Sequence, residues 1–281
     1  YIIWVNVLVN IIYYISKTLR IKALNMNKIE KIIIPQKERS TSLRIGVFGV
    51  GYERYWDQFP GLLDELLEKH KTIINKIPDH NATIVDFGMV DNAAKAYELV
   101  KLIEAANPDL IFCNMLTYAT SGTFAIIIKS TNIPIILVAL QPLKAMDYSK
   151  ASTYMQLAND DICSLPEFAA VAIRMGKKVP EVIIGSLFDD DEADLQLDEY
   201  CRIARVLHDL KNAHLGHLGH PINSMMDMQT DATMLTSFFG CHIVECEANE
   251  LLNCYNNVNE QEIIDEEKKI LHFFDTPDPV S

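Results

Sequence analysis

Two continuous apolar runs constrain the fold of this chain more than any other feature. They occupy residues 110–115 and 133–140, and a segment of helical length separates them. Apolar runs that are rich in β-branched residues and joined by a helical crossover are typical of parallel strands buried on both faces. The two runs therefore predict neighbouring strands of a parallel sheet that is covered by helices.

The chain around these runs alternates predicted strands and helices. Apolar runs predict strands at residues 43–49, 82–87 and 179–185, and an extended segment at 162–165. Helical spacing of apolar residues predicts helices at 57–76, with Asp57 as a cap, and at 91–106, 149–159 and 166–175. Alternation of this kind with short links gives a parallel sheet with right-handed crossovers. We predict an open parallel-sheet, flavodoxin- or Rossmann-like αβα domain.

A second, incomplete α/β domain is predicted after an acidic run. Asp189, Asp190 and Asp191 begin a helix that extends to about residue 212, because acidic side chains favour the amino-terminal dipole of a helix. The alternative for this run is a metal site. We assign residues 43–188 to the amino-terminal domain and 189–281 to the second domain. Further predicted elements are strands at 213–219 and 241–245 and helices at 231–239, 247–255 and 260–274.

The first 42 residues differ from the rest of the chain. Residues 1–15 are apolar but contain Asn6 and Asn10, and a membrane span needs about 20 apolar residues. No basic region precedes them, as it would in a signal peptide. We expect residues 1–25 to be translated upstream sequence or a non-native extension, and residues 26–42 to lead into the first strand. The expected location is the cytoplasm, with no membrane partner.

Charge and cysteine content exclude some classes of function. The formal net charge is -13 and the chain has 6 cysteines. Nucleic-acid binding requires clustered Lys and Arg, so we expect no nucleic-acid partner. The cysteines form no Cys-x-x-Cys pair, and reduced, buried thiols of a cytoplasmic protein are expected.

Polar side chains lie at the carboxyl end of each of the two apolar runs. They are Asn114, Thr117, Tyr118 and Ser121 at the end of the first run, and Gln141, Lys144, Asp147 and Tyr148 at the end of the second. In open α/β sheets, ligands bind in the crevice at the carboxyl ends of the strands. The sequence therefore predicts a small-molecule site here, and the alternative is that these residues are ordinary loop residues and helix caps.

Two other motifs could suggest a phosphate site and a metal site, but their spacing supports neither. Glycines at 46, 49 and 51 do not have the Gly-x-Gly-x-x-Gly spacing, and Glu53 beside them would repel phosphate. Histidines at 214, 217 and 220 lie three apart, and on a strand such residues face alternate sides. Only His220, at the exit of the predicted strand, is placed to face a ligand.

Five segments resemble one family in order and in spacing. They are RIGVFGVGYERYWDQFPGL, NMLTYATSG, LQPLKAMDY, the turn at residues 184–189 and LGHPINSMMDMQTD. Together they resemble the L-arabinose isomerase and L-fucose isomerase superfamily over roughly residues 43–281. This resemblance implies the amino-terminal domain and part of the central domain of a cytoplasmic aldose–ketose isomerase of carbohydrate metabolism.

The resemblance also implies a metal, an assembly and a substrate. Family members hold Mn²⁺ with two Glu and two His, and those ligands would lie mostly beyond the equivalent of Ser281. The metal stabilises the oxyanion of an enediol while carboxylates move the proton between C1 and C2. The full-length protein is expected to bind a monosaccharide, to use Mn²⁺ or another divalent metal, and to form a homo-trimer or hexamer. This chain alone is expected to bind no metal and to be inactive.

Some positions match the family's sugar-contacting loops. By position these are Tyr52, Glu53, Tyr118 and Gln141, and Met225 matches a segment that lines the pocket. Arabinose isomerases carry a His-containing loop where this chain has residues 140–144, so the resemblance leaves the sugar open. The alternative function is a non-catalytic sugar-binding or regulatory module of the same fold.

Overall fold

The computed structural model describes residues 42–78, 80–221 and 224–273. These residues form two compact units. The larger unit contains the described residues of 42–217 and 221–244, and the smaller unit contains residues 218–220 and 245–273. Residues 1–41 lie outside the described residues. They include the predicted extension at residues 1–25 and, except for Ser42, the predicted lead-in to the first strand at residues 26–42.

Five parallel strands form the sheet of the larger unit. They are β1 (Leu43–Val50), β2 (Ala82–Val90), β3 (Leu110–Met115), β4 (Ile135–Gln141) and β5 (Glu181–Ser186). Their order is β2-β1-β3-β4-β5, and every neighbouring pair is parallel. The prediction of an open parallel α/β domain is confirmed, and the order is that of the flavodoxin-like doubly wound fold.

Helices connect these strands and continue beyond them. They are α1 (Leu62–Lys76), α2 (Ala93–Ala106), α3 (Ser121–Ser130), α4 (Thr153–Ala158), α5 (Leu165–Arg174), α6 (Asp191–Lys211) and α7 (Ala232–Phe239). Side chains cap several of them in the way that short polar residues do. Asn92 accepts a hydrogen bond from Lys95 N, and Asp190 accepts one from Ala193 N. Short 3-10 helices lie at Glu53–Tyr55 and Met226–Met228.

The core lies on both faces of the sheet, and the strand β3 is buried on both. On one face, Phe112 packs in a cluster with Leu66 of α1 and Leu197 of α6. On the other face, Ile111 and Cys113 pack in a cluster with residues of α2, α3 and α5. All six residues of β3 are buried, which is the property that its continuous apolar run predicted.

The helix α6 packs on the five-stranded sheet. It contacts β5 and β1, and its Ala193, Leu197 and Cys201 belong to the core of the larger unit. The predicted boundary between residues 188 and 189 would fall just before this helix. Division of the full chain into domains stays a prediction.

Several predicted elements differ from the structure, and one is the predicted helix at 149–159, which spans only Thr153–Ala158. The predicted helix at 57–76 begins only at Leu62, because Gly61 before it has a left-handed φ of 89° that a helix cannot contain. Asp57 therefore does not cap it. The predicted extended segment at 162–165 is wrong: residues 162–164 form a bend and a turn, and Leu165 begins α5. Pro166 in the first turn of α5 suits a helix start.

The residues that follow α6 include a two-stranded sheet. Its strands are β6 (His214–Leu218) and β7 (His242–Cys246). In the larger unit, the rings of His214 and His242 meet edge to face with centroids 5.5 Å apart. In the smaller unit, α8 (Ala248–Asn257) begins with a capping box of Glu247 and Glu250, and α9 (Glu260–Phe273) follows. Within the described ranges, every helix is too short or too polar to cross a membrane.

The stacked pair of Phe124 and Phe168 provides a test of the core. Their rings are 4.2 Å apart at 7° and both side chains are fully buried. Phe124→Ala should lower the free energy of unfolding by about 3–5 kcal/mol, because it removes apolar contacts and leaves a cavity. Urea unfolding measures this change. Tyr97→Ala, at a residue of α2 that is 62% exposed, should change it by less than about 0.5 kcal/mol. Equal effects would contradict this packing.

Candidate functional site

The crevice of this fold lies where the loops of β1 and β3 leave the sheet. These two strands are neighbours, and β2 lies beyond β1 while β4 lies beyond β3. The connections from β1 and β3 therefore run to opposite sides of the sheet. This topological switch point is where open α/β folds bind ligands. The predicted residues Tyr52, Glu53 and Tyr118 lie in these two loops.

Three tyrosines from the two loops contact one another, and we call them the tyrosine cluster: Tyr52, Tyr55 and Tyr118. The ring of Tyr52 meets that of Tyr55 edge to face, with centroids 5.2 Å apart. Tyr52 also meets Tyr118 edge to face, with centroids 6.2 Å apart. All three side chains are partly buried. The cluster brings together apolar ring faces and phenol hydroxyls at the switch point.

Carboxylates from the segment before α5 and from α5 itself lie beside the tyrosine cluster. Burial first, then the charge of the Glu167 carboxylate and a hydrogen bond to it, raise the pKa of Tyr118. Burial and then the charge of Asp160 raise the pKa of Tyr55. Burial also raises the pKa of Asp160, although a hydrogen bond from the Cys163 thiol opposes this shift. The cluster is therefore bordered by acceptors of hydrogen bonds.

Glu53 is held by the loop that follows β2. Its carboxylate accepts a hydrogen bond from Asn92 Nδ2 at 2.9 Å, and its backbone N–H donates to Asp91 O at 3.2 Å. Asp91 in turn accepts hydrogen bonds from Trp56 Nε1 at 2.9 Å and Lys95 Nζ at 2.8 Å. These contacts fix the position of the loop after β1, and Glu53 itself stays exposed at its surface.

Gln141 is the last residue of β4, at the same edge of the sheet as the cluster. Its Nε2 donates to Asn159 O at 2.7 Å, and Asn159 Oδ1 accepts from Leu143 N at 3.0 Å. Gln141 therefore joins the end of β4 to the residue after α4, and Leu143 joins the following loop to the same residue. Contact of this residue with a sugar stays a prediction.

Met225 makes none of the contacts that position the other predicted site residues within the described ranges. It lies just before the 3-10 helix at Met226–Met228 and is 41% exposed. Across the described ranges, no hydrogen bond or ring contact joins Met225 to the tyrosine cluster, Glu53 or Gln141. Its role as a pocket residue stays a prediction.

Beneath the cluster, α1 carries two buried polar side chains on its apolar face. Lys69 forms an ion pair with Asp161, and burial raises the pKa of the Asp161 carboxyl to about 7 although the Lys69 charge opposes that shift. His70 lies between Asn114 and Asp86, with Nδ1 3.0 Å from Asn114 Nδ2 and Nε2 3.0 Å from Asp86 Oδ1. Asn114, predicted as a site residue, is fully buried and packs against His70.

Sequence reasoning missed several residues of this region. Tyr55, Asp160 and Glu167 were not predicted, and neither was the pair of Lys69 and Asp161. One signal for the pair was present: Lys69 follows Leu62 and Leu66 at helical spacing on the apolar side of α1. Asp160 and Glu167 gave no such signal, because they flank the segment at 162–165 that was predicted as extended.

The described residues contain no group of three or more His, Cys, Asp or Glu side chains that could hold a metal ion. His214 and His217 lie on β6, and His220 follows it. A divalent metal needs several such ligands converging in one cavity. The described residues therefore do not by themselves fit the Mn²⁺ that the resemblance implies.

Comparisons with known proteins place this chain in no family. No protein-family model matches it, and no curated protein matches it. Among solved structures, a lipase/acylhydrolase from Enterococcus faecalis is 16% identical with a TM-score of 0.25, and the match covers 50% of this chain and 75% of that one. A conserved domain protein from Vibrio cholerae O1 biovar eltor str. N16961 is 17% identical with a TM-score of 0.25, covering 74% of this chain and 58% of that one. These structural likenesses are too weak to bear on function.

The contact of Tyr118 with Glu167 predicts a pKa change. Glu167→Gln should lower the pKa of Tyr118 towards its ordinary value of 10.0, because the Glu167 charge and hydrogen bond raise it. The remaining burial should keep it above that value. NMR titration of protein labelled at tyrosine Cζ measures this pKa, and Tyr118→Phe identifies the resonance. Glu104→Gln, at an exposed residue of α2, is the control. An unchanged or higher pKa in Glu167→Gln would refute the contact.

Proposed function

We propose that the chain binds a monosaccharide at the tyrosine cluster and is the sugar-binding part of an aldose–ketose isomerase of the L-arabinose or L-fucose isomerase type. One observation carries the proposal: Tyr52 and Tyr118 meet at the switch point, with carboxylates beside them. A sugar ring presents both C–H faces and hydroxyl groups. Such a ligand needs apolar surface together with a few well-placed polar groups.

The chemistry of the cluster supports this class of ligand. Ring faces of Tyr52, Tyr55 and Tyr118 offer apolar contact to C–H groups, and their hydroxyls form hydrogen bonds. Glu167 and Asp160 accept hydrogen bonds from sugar hydroxyls, which are donors as well as acceptors. Phosphate is disfavoured by the same carboxylates, because like charges repel. The crevice therefore suits a neutral polyol better than a nucleotide.

In this proposal, one part of the protein binds the sugar and another part binds the metal. Isomerisation needs a metal to stabilise an oxyanion and a base to move a proton. The described residues offer no set of metal ligands, so we assign them binding and orientation of the sugar alone. The proposal places the Mn²⁺ ligands, two Glu and two His, in sequence beyond Ser281. A trimer or hexamer in the cytoplasm is part of the same proposal.

Calorimetric titration of the natural full-length protein tests this function. L-Arabinose and L-fucose are titrated into wild type, Tyr118→Phe and Tyr97→Phe. The first variant loses a hydroxyl at the cluster, and the second loses the same group from an exposed residue of α2. We expect Tyr118→Phe to weaken sugar binding roughly 2- to 10-fold, which corresponds to one hydrogen bond. Tyr97→Phe should leave it unchanged.

Three results bear on the proposal in different ways. If the wild type binds neither these sugars nor related aldoses, the proposal is wrong. If both variants bind equally well, the sugar site lies elsewhere. Binding without conversion of aldose to ketose, with Mn²⁺ present, would favour the non-catalytic sugar-binding module over the isomerase.

A further inference from the structure

The buried ion pair of Lys69 and Asp161 joins three parts of the larger unit. Lys69 is 5% exposed and Asp161 is fully buried. The Lys69 ammonium contacts Asp161 and also donates hydrogen bonds to Leu116 O at 3.2 Å and Ala158 O at 3.4 Å. An ammonium group has three N–H donors. The Lys69 ammonium therefore has one ion-pair partner and two hydrogen-bond acceptors, each on a different residue.

Each acceptor lies close in sequence to a residue of the candidate site. Leu116 is two residues before Tyr118, in the loop that follows β3. Ala158 ends α4 two residues before Asp160, and Asp161 follows Asp160 directly. Lys69 therefore connects the loop that carries Tyr118 to the segment that carries the neighbouring carboxylates.

A second connection joins the same two segments. The backbone N–H of Ala119 donates to the Ser164 Oγ at 2.8 Å, and this hydrogen bond is buried. Ala119 follows Tyr118, and Ser164 lies three residues before Glu167. Tyr118 and Glu167 therefore lie close in sequence to two buried links between the loop after β3 and residues 158–167.

We propose that Lys69 and Asp161 are positioning residues, which hold the loop that carries Tyr118 beside the segment that carries Asp160 and Glu167 and thereby shape the sugar site. The inference rests on the proposed function for its ligand, but the arrangement of the side chains can be tested without one. Neither residue of the pair reaches the surface of the crevice, since both are buried. Their action on a ligand is through Tyr118 and the carboxylates.

A buried ion pair is not by itself evidence of a role in stability. Two charges taken out of water lose hydration, and apolar residues of similar volume often replace a buried ion pair with no loss of stability. Replacing both charges together therefore separates stability from position. The backbone carbonyls of Leu116 and Ala158 would lose their common donor in such a variant.

The test compares two double variants of the full-length protein. Lys69→Met/Asp161→Leu removes the buried pair, and Lys71→Met/Glu68→Leu makes the same substitutions in an exposed pair on the same helix. Three quantities are measured: the urea midpoint, the pKa of Tyr118 by tyrosine Cζ NMR, and the affinity for L-arabinose and L-fucose. If Lys69→Met/Asp161→Leu does not fold, Asp161→Asn replaces it, since Asn keeps the shape and an acceptor for Lys69.

We expect the buried double variant to keep the urea midpoint of the wild type. The pKa of Tyr118 should fall as it does in Glu167→Gln, and sugar affinity should fall roughly tenfold, because a displacement of about 1 Å loosens a binding site. The exposed double variant should change none of the three. Asp161→Asn should change the pKa and the affinity in the same direction by a smaller amount.

Two outcomes separate this inference from the proposed function. An unchanged Tyr118 pKa in the buried double variant, or in Asp161→Asn when the former does not fold, would overturn the positioning role, whatever the sugar does. If the buried double variant lowers the pKa of Tyr118 but the wild type binds no sugar, the positioning role is supported and the sugar site is overturned. The pKa of Tyr118 therefore tests the positioning role, and sugar binding by the wild type tests the proposed function.

Discussion

Burial of β3 on both faces is the constraint on which the rest of this structure depends. The strand lies at the centre of the sheet, and alternate residues enter the two halves of the core. Such a strand needs neighbours on both edges and helices on both faces, so β1 and β4 flank it and helices cover it from each side. Because the connections from β1 and β3 then run to opposite sides, a crevice opens between their carboxyl ends. The tyrosine cluster lies there.

The buried polar groups beneath the crevice follow from the same geometry. The helix α1 crosses the sheet beside the end of β3, and it brings Lys69 and His70 under the loop that carries Tyr118. A buried charge needs a partner and satisfied hydrogen bonds, because it has lost its hydration. Asp161 and two carbonyl groups meet that need for Lys69. The loop after β3 is thereby fixed by electrostatics as well as by packing.

Much of the fold could be predicted from the sequence, because hydrophobic periodicity reflects burial directly. The continuous run at 110–115 coincides with β3, and the predicted polar residues lie at or after the carboxyl ends of β3 and β4. Contacts between distant segments were not predictable. Lys69 and Asp161 are far apart in sequence, and no local pattern encodes their partnership. Glu167 was missed because the segment before it, which was predicted as extended, forms a turn that leads into α5. The polar residues at the strand ends were therefore predicted, and the carboxylates of Asp160 and Glu167 were missed.

The central claim is that a monosaccharide binds at the tyrosine cluster. Isotope-filtered NMR with ¹³C-labelled sugar and the full-length protein tests this claim most directly. Nuclear Overhauser contacts are seen only between protons within about 5 Å, which is comparable to the distance between packed aromatic rings. The account predicts contacts from sugar C–H protons to the rings of Tyr52 and Tyr118. Contacts confined to other residues, with none to these two rings, would contradict it.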